Sequence, residues 1–381
     1  TYEQIVDEPY QYSSGESISN WNNRHQGQMS IRTALAKSLN IPALKAMQAV
    51  GLEKSRAFGE SLGLKFDEFY ESASIGGTSN MSPTILAGAY SAFGNEGIYN
   101  EPYTVTKIVL ADGETTIDLQ PESKVVMQDY TAFMITDMLK TVVTSGTGTE
   151  ANISGLPVAG KTGTTNFTAE ERAALGISKG ENAVPDAWFV GYTTNYTMAI
   201  WTGYDSKKED YLGSESQKIP KKLFKNIMSH VSEKVKTKDF SKPSSVVKVG
   251  VEKGSNPAKL PSANTPADQI TYEYFVKGTT PTTVSEAYDK LDAPSGLNAT
   301  YSEESNEIIL TWSYPTNEET NPTFNVTVSV DGAGQQTLAQ SGDFEARVSN
   351  PTPGSIYKFN VTATVGSQTS DPASVTFQVP D

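Results

Sequence analysis

The spacing of apolar residues changes once along this chain, and that change limits what it can fold into. Over residues 30–160 apolar side chains recur at helical intervals between Gly-rich connections; from Asp292 onward they alternate with polar ones at period two. A 3.6-residue stripe and a two-residue stripe specify different elements. The 381 residues therefore divide into a mixed α/β part and an all-β part. Charge divides at the same place. Residues 292–381 hold eleven Asp and Glu against Arg347 and Lys358, so nine of the fourteen net negative charges belong to the appended part.

Within the first part, residues 30–40 place Ile31, Leu35 and Leu39 at helical spacing. Pro42 suits the first turn of a second helix that Gly51 stops. Further helices are expected over 83–93, near 130–143 and over 221–235, with a flexible Ser145-Gly-Thr-Gly-Thr149 after the second of these. Residues 156–161 lead into a strand. Segments 186–192 and 196–204 form two more, joined by the hairpin signal Thr193-Thr-Asn195. Residues 253–291 carry repeated Pro and Gly breaks and read as a loosely folded extension plus linker.

Several chemistries are excluded by composition. No cysteine is present, so disulfide scaffolds, thiol nucleophiles and Cys-bound metals are out. His25 and His230 are the two histidines, too few for a multi-His metal centre, and no cofactor motif appears. The acidic balance, with Lys residues of 207–259 spread among acids and without interleaved aromatics, argues against nucleic acid. No apolar run approaches the ~20 residues that span a bilayer. The chain starts at Thr1 without an initiator Met or signal-like segment and reads as a piece of a longer protein.

Chemistry concentrates in two short stretches. In Ala159-Gly-Lys161-Thr162-Gly163-Thr164 a strand puts Lys161 and Gly163 on one side and Thr162 and Thr164 on the other. A cation and hydroxyls beside an exposed strand suit a carboxylate. Small Gly160 and Gly163 admit another backbone or a ligand. Residues 155–162 also satisfy the P-loop pattern formally, but Pro157 removes a phosphate-cradling N–H and Gly163 weakens the helix that must follow. The second stretch is Ser38-Leu39-Asn40, between two helical segments. Its hydroxyl can relay protons and its amide can bind a peptide group; read alone, it is an ordinary helix-end cap.

In this order the two stretches are S-x-N and K-T-G, two of the three serine acyl-transferase motifs S-x-x-K, S-x-N and K-T-G. Here the chain resembles a penicillin-binding protein of the bifunctional class A type. Similar family segments are Gln28-Met-Ser-Ile-Arg-Thr-Ala-Leu-Ala-Lys-Ser-Leu-Asn-Ile-Pro-Ala43, Ser82-Pro-Thr-Ile-Leu-Ala-Gly-Ala-Tyr90, Asp186-Ala-Trp-Phe-Val-Gly-Tyr192 and Ile200-Trp-Thr-Gly-Tyr-Asp205. Glu273-Tyr-Phe-Val-Lys-Gly-Thr-Thr-Pro281 resembles the closing segment. The resemblance implies an α/β (α+β) transpeptidase domain over residues 1–282, an antiparallel sheet flanked by helices. A linker over 283–291 follows, then a module over 292–381 that resembles a fibronectin type III sandwich, with Trp312 and the corner Tyr357 as core.

The family's first motif precedes S-x-N. None of the 37 residues before Ser38 spells it. The two S-x-x-K matches, Ser245-Val-Val-Lys248 and Ser355-Ile-Tyr-Lys358, follow K-T-G in strand-like segments and are assigned to chance. The nucleophile is thus expected upstream of Thr1. The resemblance implies D-Ala–D-Ala stem peptides of peptidoglycan as substrate and β-lactams as mimics. It implies catalytic roles for Ser38, Asn40 and Lys161 and substrate binding by Thr162, Gly163 and Thr164. It also implies a membrane anchor and a glycosyltransferase domain outside this chain, an extracytoplasmic location, and a cell-wall or divisome partner for the last module. A non-catalytic peptidoglycan or β-lactam sensor and a β-lactamase are the competing readings. Trp188 and Trp201 resemble site aromatics, but their alternation favours core or sheet packing.

Overall fold

The helices that follow Ser30, Ser82 and Thr168 start where the side chain of the N-cap residue satisfies a free N–H group. Ser30 accepts from Thr33 N at the head of α1 (Ile31–Ala36). Helix α2 (Asn40–Val50) stops at Gly51, whose φ is +92°, and α3 (Leu52–Ser61) follows directly. Ser82 caps α4 (Pro83–Gly94), with Pro83 at its first position. Next come α5 (Asp129–Ser145), α6 (Ala169–Ala174) with its Thr168–Glu171 capping box, and α7 (Ile219–Ser232). These elements come from a computed structural model that describes residues 1–77, 81–121, 123–289, 291–315, 321–366 and 368–381. Its contacts divide the chain into two units, Thr1–Ala258 with Tyr272–Pro281, and Lys259–Thr271 with Thr282–Asp381.

In the first unit, β1 (Gln4–Asp7) pairs with β2 (Gly27–Ser30). The main sheet is antiparallel, β3 (Ala159–Thr164), β4 (Asp186–Tyr192) and β5 (Thr197–Gly203), with β4 in the centre. Helix α5 lies on one face. Leu139 and Val142 meet Ala159 and Tyr192, and the Tyr192 hydroxyl shares a 2.8 Å hydrogen bond with Thr136. Helix α7 covers the other face through Phe224, which stacks edge-on against Phe189 at 4.8 Å. Both rings are fully buried; each contributes about 2–3 kcal/mol by leaving water.

The reading of residues 253–291 as loosely folded needs correction. Residues Ile270–Val276 form strand β7, which pairs with β6 (Val246–Glu252). The Pro and Gly breaks flank this strand rather than fill it. Glu273 within it is buried and accepts three hydrogen bonds from Arg32.

The second unit is a β-sandwich. One sheet orders β8 (Ser295–Ser302), β9 (Glu307–Ser313) and β12 (Glu345–Ser349). The other orders β11 (Gln336–Ser341), β10 (Thr323–Val330), β13 (Ile356–Val365) and β14 (Ala373–Gln378). Trp312, Phe324, Phe359 and Val361 fill the space between them. Tyr357 is buried, and its hydroxyl accepts from Thr352 N at 3.0 Å. Short bonds also tie Leu260 N to the Thr283 carbonyl and Ser285 N to the Leu260 carbonyl.

Candidate active site

The corner between α1 and α2 is built by a helix C-cap. Helix α1 ends early, at Ala36, because Leu39 N reaches back to the Ala34 carbonyl and Ser38 N to the Leu35 carbonyl. That is the bond pair of a Schellman motif, closed by the apolar contact of Leu39 with Ala34. The motif demands a left-handed residue at Ser38, whose φ is +55°. A serine occupies a position that glycine fills at lower cost.

The left-handed turn directs the Ser38 hydroxyl at β3. Lys161 Nζ donates to Ser38 Oγ at 2.6 Å and to the Thr162 carbonyl at 2.9 Å, across 123 residues of chain. Burial of the amine lowers the Lys161 pKa from 10.5 to about 8, by desolvation. Asn40, the first residue of α2, donates through Nδ2 to the Ser19 carbonyl at 2.9 Å. A primary amide offers two N–H groups and two lone pairs, so this bond leaves capacity for a peptide group.

Among the described residues, strand β3 is the last strand of its sheet on this side, and its outer edge is unpaired there. Its glycines differ in kind. A Cβ on Gly160 would lie 2.7 Å from the Phe189 ring and from the Val190 carbonyl, so packing alone requires glycine there. A Cβ on Gly163 would meet only Trp188 Cβ, at 3.5 Å. Packing does not require that glycine. The Thr162 hydroxyl bonds Thr147 at 2.7 Å, and Thr164 is exposed at the strand's end.

Thr147 is a contributor the sequence reading missed. It lies in 145–149, expected to be flexible. Thr147 N bonds the Ala36 carbonyl and Gly148 N the Val142 carbonyl. This segment passes directly beneath the end of α1: a Cβ on Gly146 would lie 2.3 Å from the Ala36 carbonyl. The Gly-Thr-Gly spelling was the one available signal, and it reads equally well as a loose turn.

The remaining candidates fall elsewhere. Ser245 and Lys248 lie at and within β6, and Ser355 and Lys358 at and within β13, none at a helix start. Lys161 lies inside strand β3 and does not open a helix, as a P-loop lysine must. Trp188 and Trp201 are cross-strand partners with rings 6.5 Å apart. They pack on the sheet and on each other, half-buried and exposed, outside the core. Among the described residues no group of three or more His, Cys, Asp or Glu could hold a metal. No described helix is long and apolar enough to cross a membrane.

Residues 1–229 match the penicillin binding protein transpeptidase domain. Residues 242–290 match the penicillin-binding protein 1A C-terminal domain, and 295–374 a PBP1-like, fibronectin3-like domain. Penicillin-binding protein 1A/1B of Bacillus subtilis is 47% identical over 392 aligned residues, covering all of this chain and 42% of the relative. Penicillin-binding protein 1A of Streptococcus pneumoniae is 33% identical over 254 residues, covering 65% of this chain and 35% of that protein. The chain thus spans less than half the length of either. The crystal structure of penicillin-binding protein 1A from Haemophilus influenzae shares the fold, with a TM-score of 0.57 at 23% identity, over 74% of this chain and 46% of that one.

Proposed function

The chain belongs to the class A penicillin-binding proteins, and from that premise we propose that it supplies the S-x-N and K-T-G side of a serine D,D-transpeptidase site. The observation that carries this is the 2.6 Å bond from Lys161 Nζ to Ser38 Oγ, which joins the two motifs at one point beside a free strand edge.

In this reading a serine outside residues 1–381 attacks the carbonyl between the two D-Ala residues of a stem peptide. Its proton passes toward the leaving amine, the terminal D-Ala departs, and an acyl-enzyme remains. The amine of a neighbouring stem then displaces the serine and completes the cross-link. Ser38 and Lys161 carry the proton and hold positive charge beside the cleft. Asn40 binds the substrate amide. Thr162 and Thr164 bind the terminal carboxylate; Gly163 leaves room for the donor, and the Thr164 N–H supplies half of the oxyanion hole. β-Lactams acylate the same serine. The transpeptidase domain is placed as ending near residue 282, with a linker to 291 and the last module from 292; the gap between the family matches, from 290 to 295, supports only the start of that module. The complete protein also polymerises glycan, is anchored at the extracytoplasmic face of the membrane, and uses the last module toward wall or divisome partners.

The test is acylation by a fluorescent penicillin in the longer protein that carries this chain. Lys161→Ala slows acylation by roughly 10²–10⁴-fold if the amine takes part in proton transfer. An unchanged rate removes Lys161 from the site, and rapid release of hydrolysed penicillin makes the protein a β-lactamase instead.

A further inference from the structure

Residues 19–26 grip the S-x-N corner from outside. The Ser19 carbonyl accepts from Asn40 Nδ2, Trp21 Nε1 donates to the Lys37 carbonyl at 3.0 Å, and Lys37 Nζ donates to Gln26 Oε1 at 2.6 Å. Asn20 makes the most direct contact. Its Oδ1 accepts the backbone N–H of Asn40 at 2.9 Å and of Ile41 at 3.2 Å. The first N–H groups of a helix lack partners, and a side chain at the N-cap usually supplies one. Here the N-cap is Leu39, which cannot, and Asn20 does so from a distant segment.

The gripping segment is itself fastened to β1. Asp7 Oδ1 accepts from Asn20 Nδ2 at 2.8 Å and Asp7 Oδ2 from Gln26 N at 2.9 Å, while Asn20 Nδ2 also donates to the Arg24 carbonyl at 2.8 Å. Asp7 and Asn20 are 1% and 2% exposed. Burying a carboxylate and an amide costs free energy that hydrogen bonds only just recover. An apolar pair of the same size would leave the N–H groups of Asn40, Ile41 and Gln26 without these acceptors. What an apolar pair also lacks is direction, since each of these bonds fixes a specific atom of the corner.

We propose that Asp7 and Asn20 are positioning residues for Ser38 and Asn40. The buried pair transmits the rigidity of β1 to the first turn of α2, and with it the aim of the Asn40 amide and the left-handed Ser38. The proposal rests on the reading of Ser38 and Asn40 as part of the acylation site, and two measurements keep their failures apart.

The first uses residues 1–381 and hydrogen exchange. The amides of Asn40 and Ile41, first-turn groups that ordinarily exchange fast, are protected; in Asn20→Ala they lose about tenfold or more while the later amides of α2 keep theirs. The second measures acylation by fluorescent penicillin in the longer protein, separating the labelled fraction, which reports folding, from the rate constant, which reports geometry. Asn20→Asp sets two carboxylates side by side and lowers the rate constant roughly tenfold to a hundredfold. Exchanging the pair (Asp7→Asn with Asn20→Asp) restores acceptors for Asn40, Ile41 and Gln26 and returns the rate constant to within about threefold. A folding role alone would shrink the labelled fraction and leave the rate constant untouched. Parental rate and parental amide protection in Asn20→Asp overturn the proposal, as does an exchanged pair that folds but acylates no faster than Asn20→Asp. Parental acylation by Asn40→Ala overturns the site reading instead, and the exchange data then stand alone on the brace.

Discussion

Ser38 stands where a helix C-terminus ordinarily places glycine. Its left-handed backbone carries a penalty of about 1–2 kcal/mol that glycine lacks. Retaining a serine there makes sense if the hydroxyl is needed, and its partner is Lys161. Ser38→Gly should therefore leave thermal stability equal or raise it by up to about 1 kcal/mol, while acylation in the longer protein falls by about a hundredfold. Calorimetry beside labelling kinetics separates the two effects. Lys161 makes a second prediction. Its folded pKa lies near 8 against 10.5 for the free amine. Between those values the unfolded chain holds the extra proton, so stability rises with pH across that window; below it the buried ammonium imposes its full cost. Lys161→Met should raise the melting temperature at pH 7 and lose that gain as pH climbs from 8 toward 10. A gain of equal size at both ends would mean the amine is not desolvated.

At the scale of elements, two glycines make opposite forecasts. Gly146→Ala drives a Cβ into the Ala36 carbonyl at the end of α1. It should destabilise by about 1–3 kcal/mol and slow acylation by moving Ser38. Gly163→Ala meets only an ordinary contact with Trp188. It should leave the melting temperature unchanged yet slow acylation, because in the proposed site the added methyl would occupy the approach of the donor. A stable Gly146→Ala, or a Gly163→Ala that acylates normally, would remove the corresponding argument. The sheet was legible in the sequence because β4 and β5 are long, uncharged beyond Asp186 and bounded by turn residues. The corner was legible as a gap between two helical patterns, but not as a left-handed serine, since a C-cap depends on bonds that periodicity does not encode. Strands β1 and β2 escaped notice because each is only four residues long, with two large apolar residues in the first and one in the second, too few to show a repeat. Thr147 and Asn20 escaped for a different reason. Their partners lie 15 and 20 residues away and obey no local repeat.

At the scale of the molecule, the change of period near Asp292 falls between a helix-flanked sheet and a sandwich, and most of the excess acid belongs to the sandwich. The first unit brings together the two recognised motifs and surrounds them with a brace from β1, a Gly-rich segment beneath α1 and a free strand edge. The central claim is that these residues complete a serine acyl-transfer site whose nucleophile lies outside residues 1–381. The direct measurement is peptide mapping of the penicillin-acylated longer protein, run beside residues 1–381 alone. The account predicts one acylated serine, in an S-x-x-K sequence outside residues 1–381 at the start of a helix, and no label on residues 1–381 alone. A penicilloyl adduct on Ser38, Ser245, Ser355 or any other residue of this chain would contradict it.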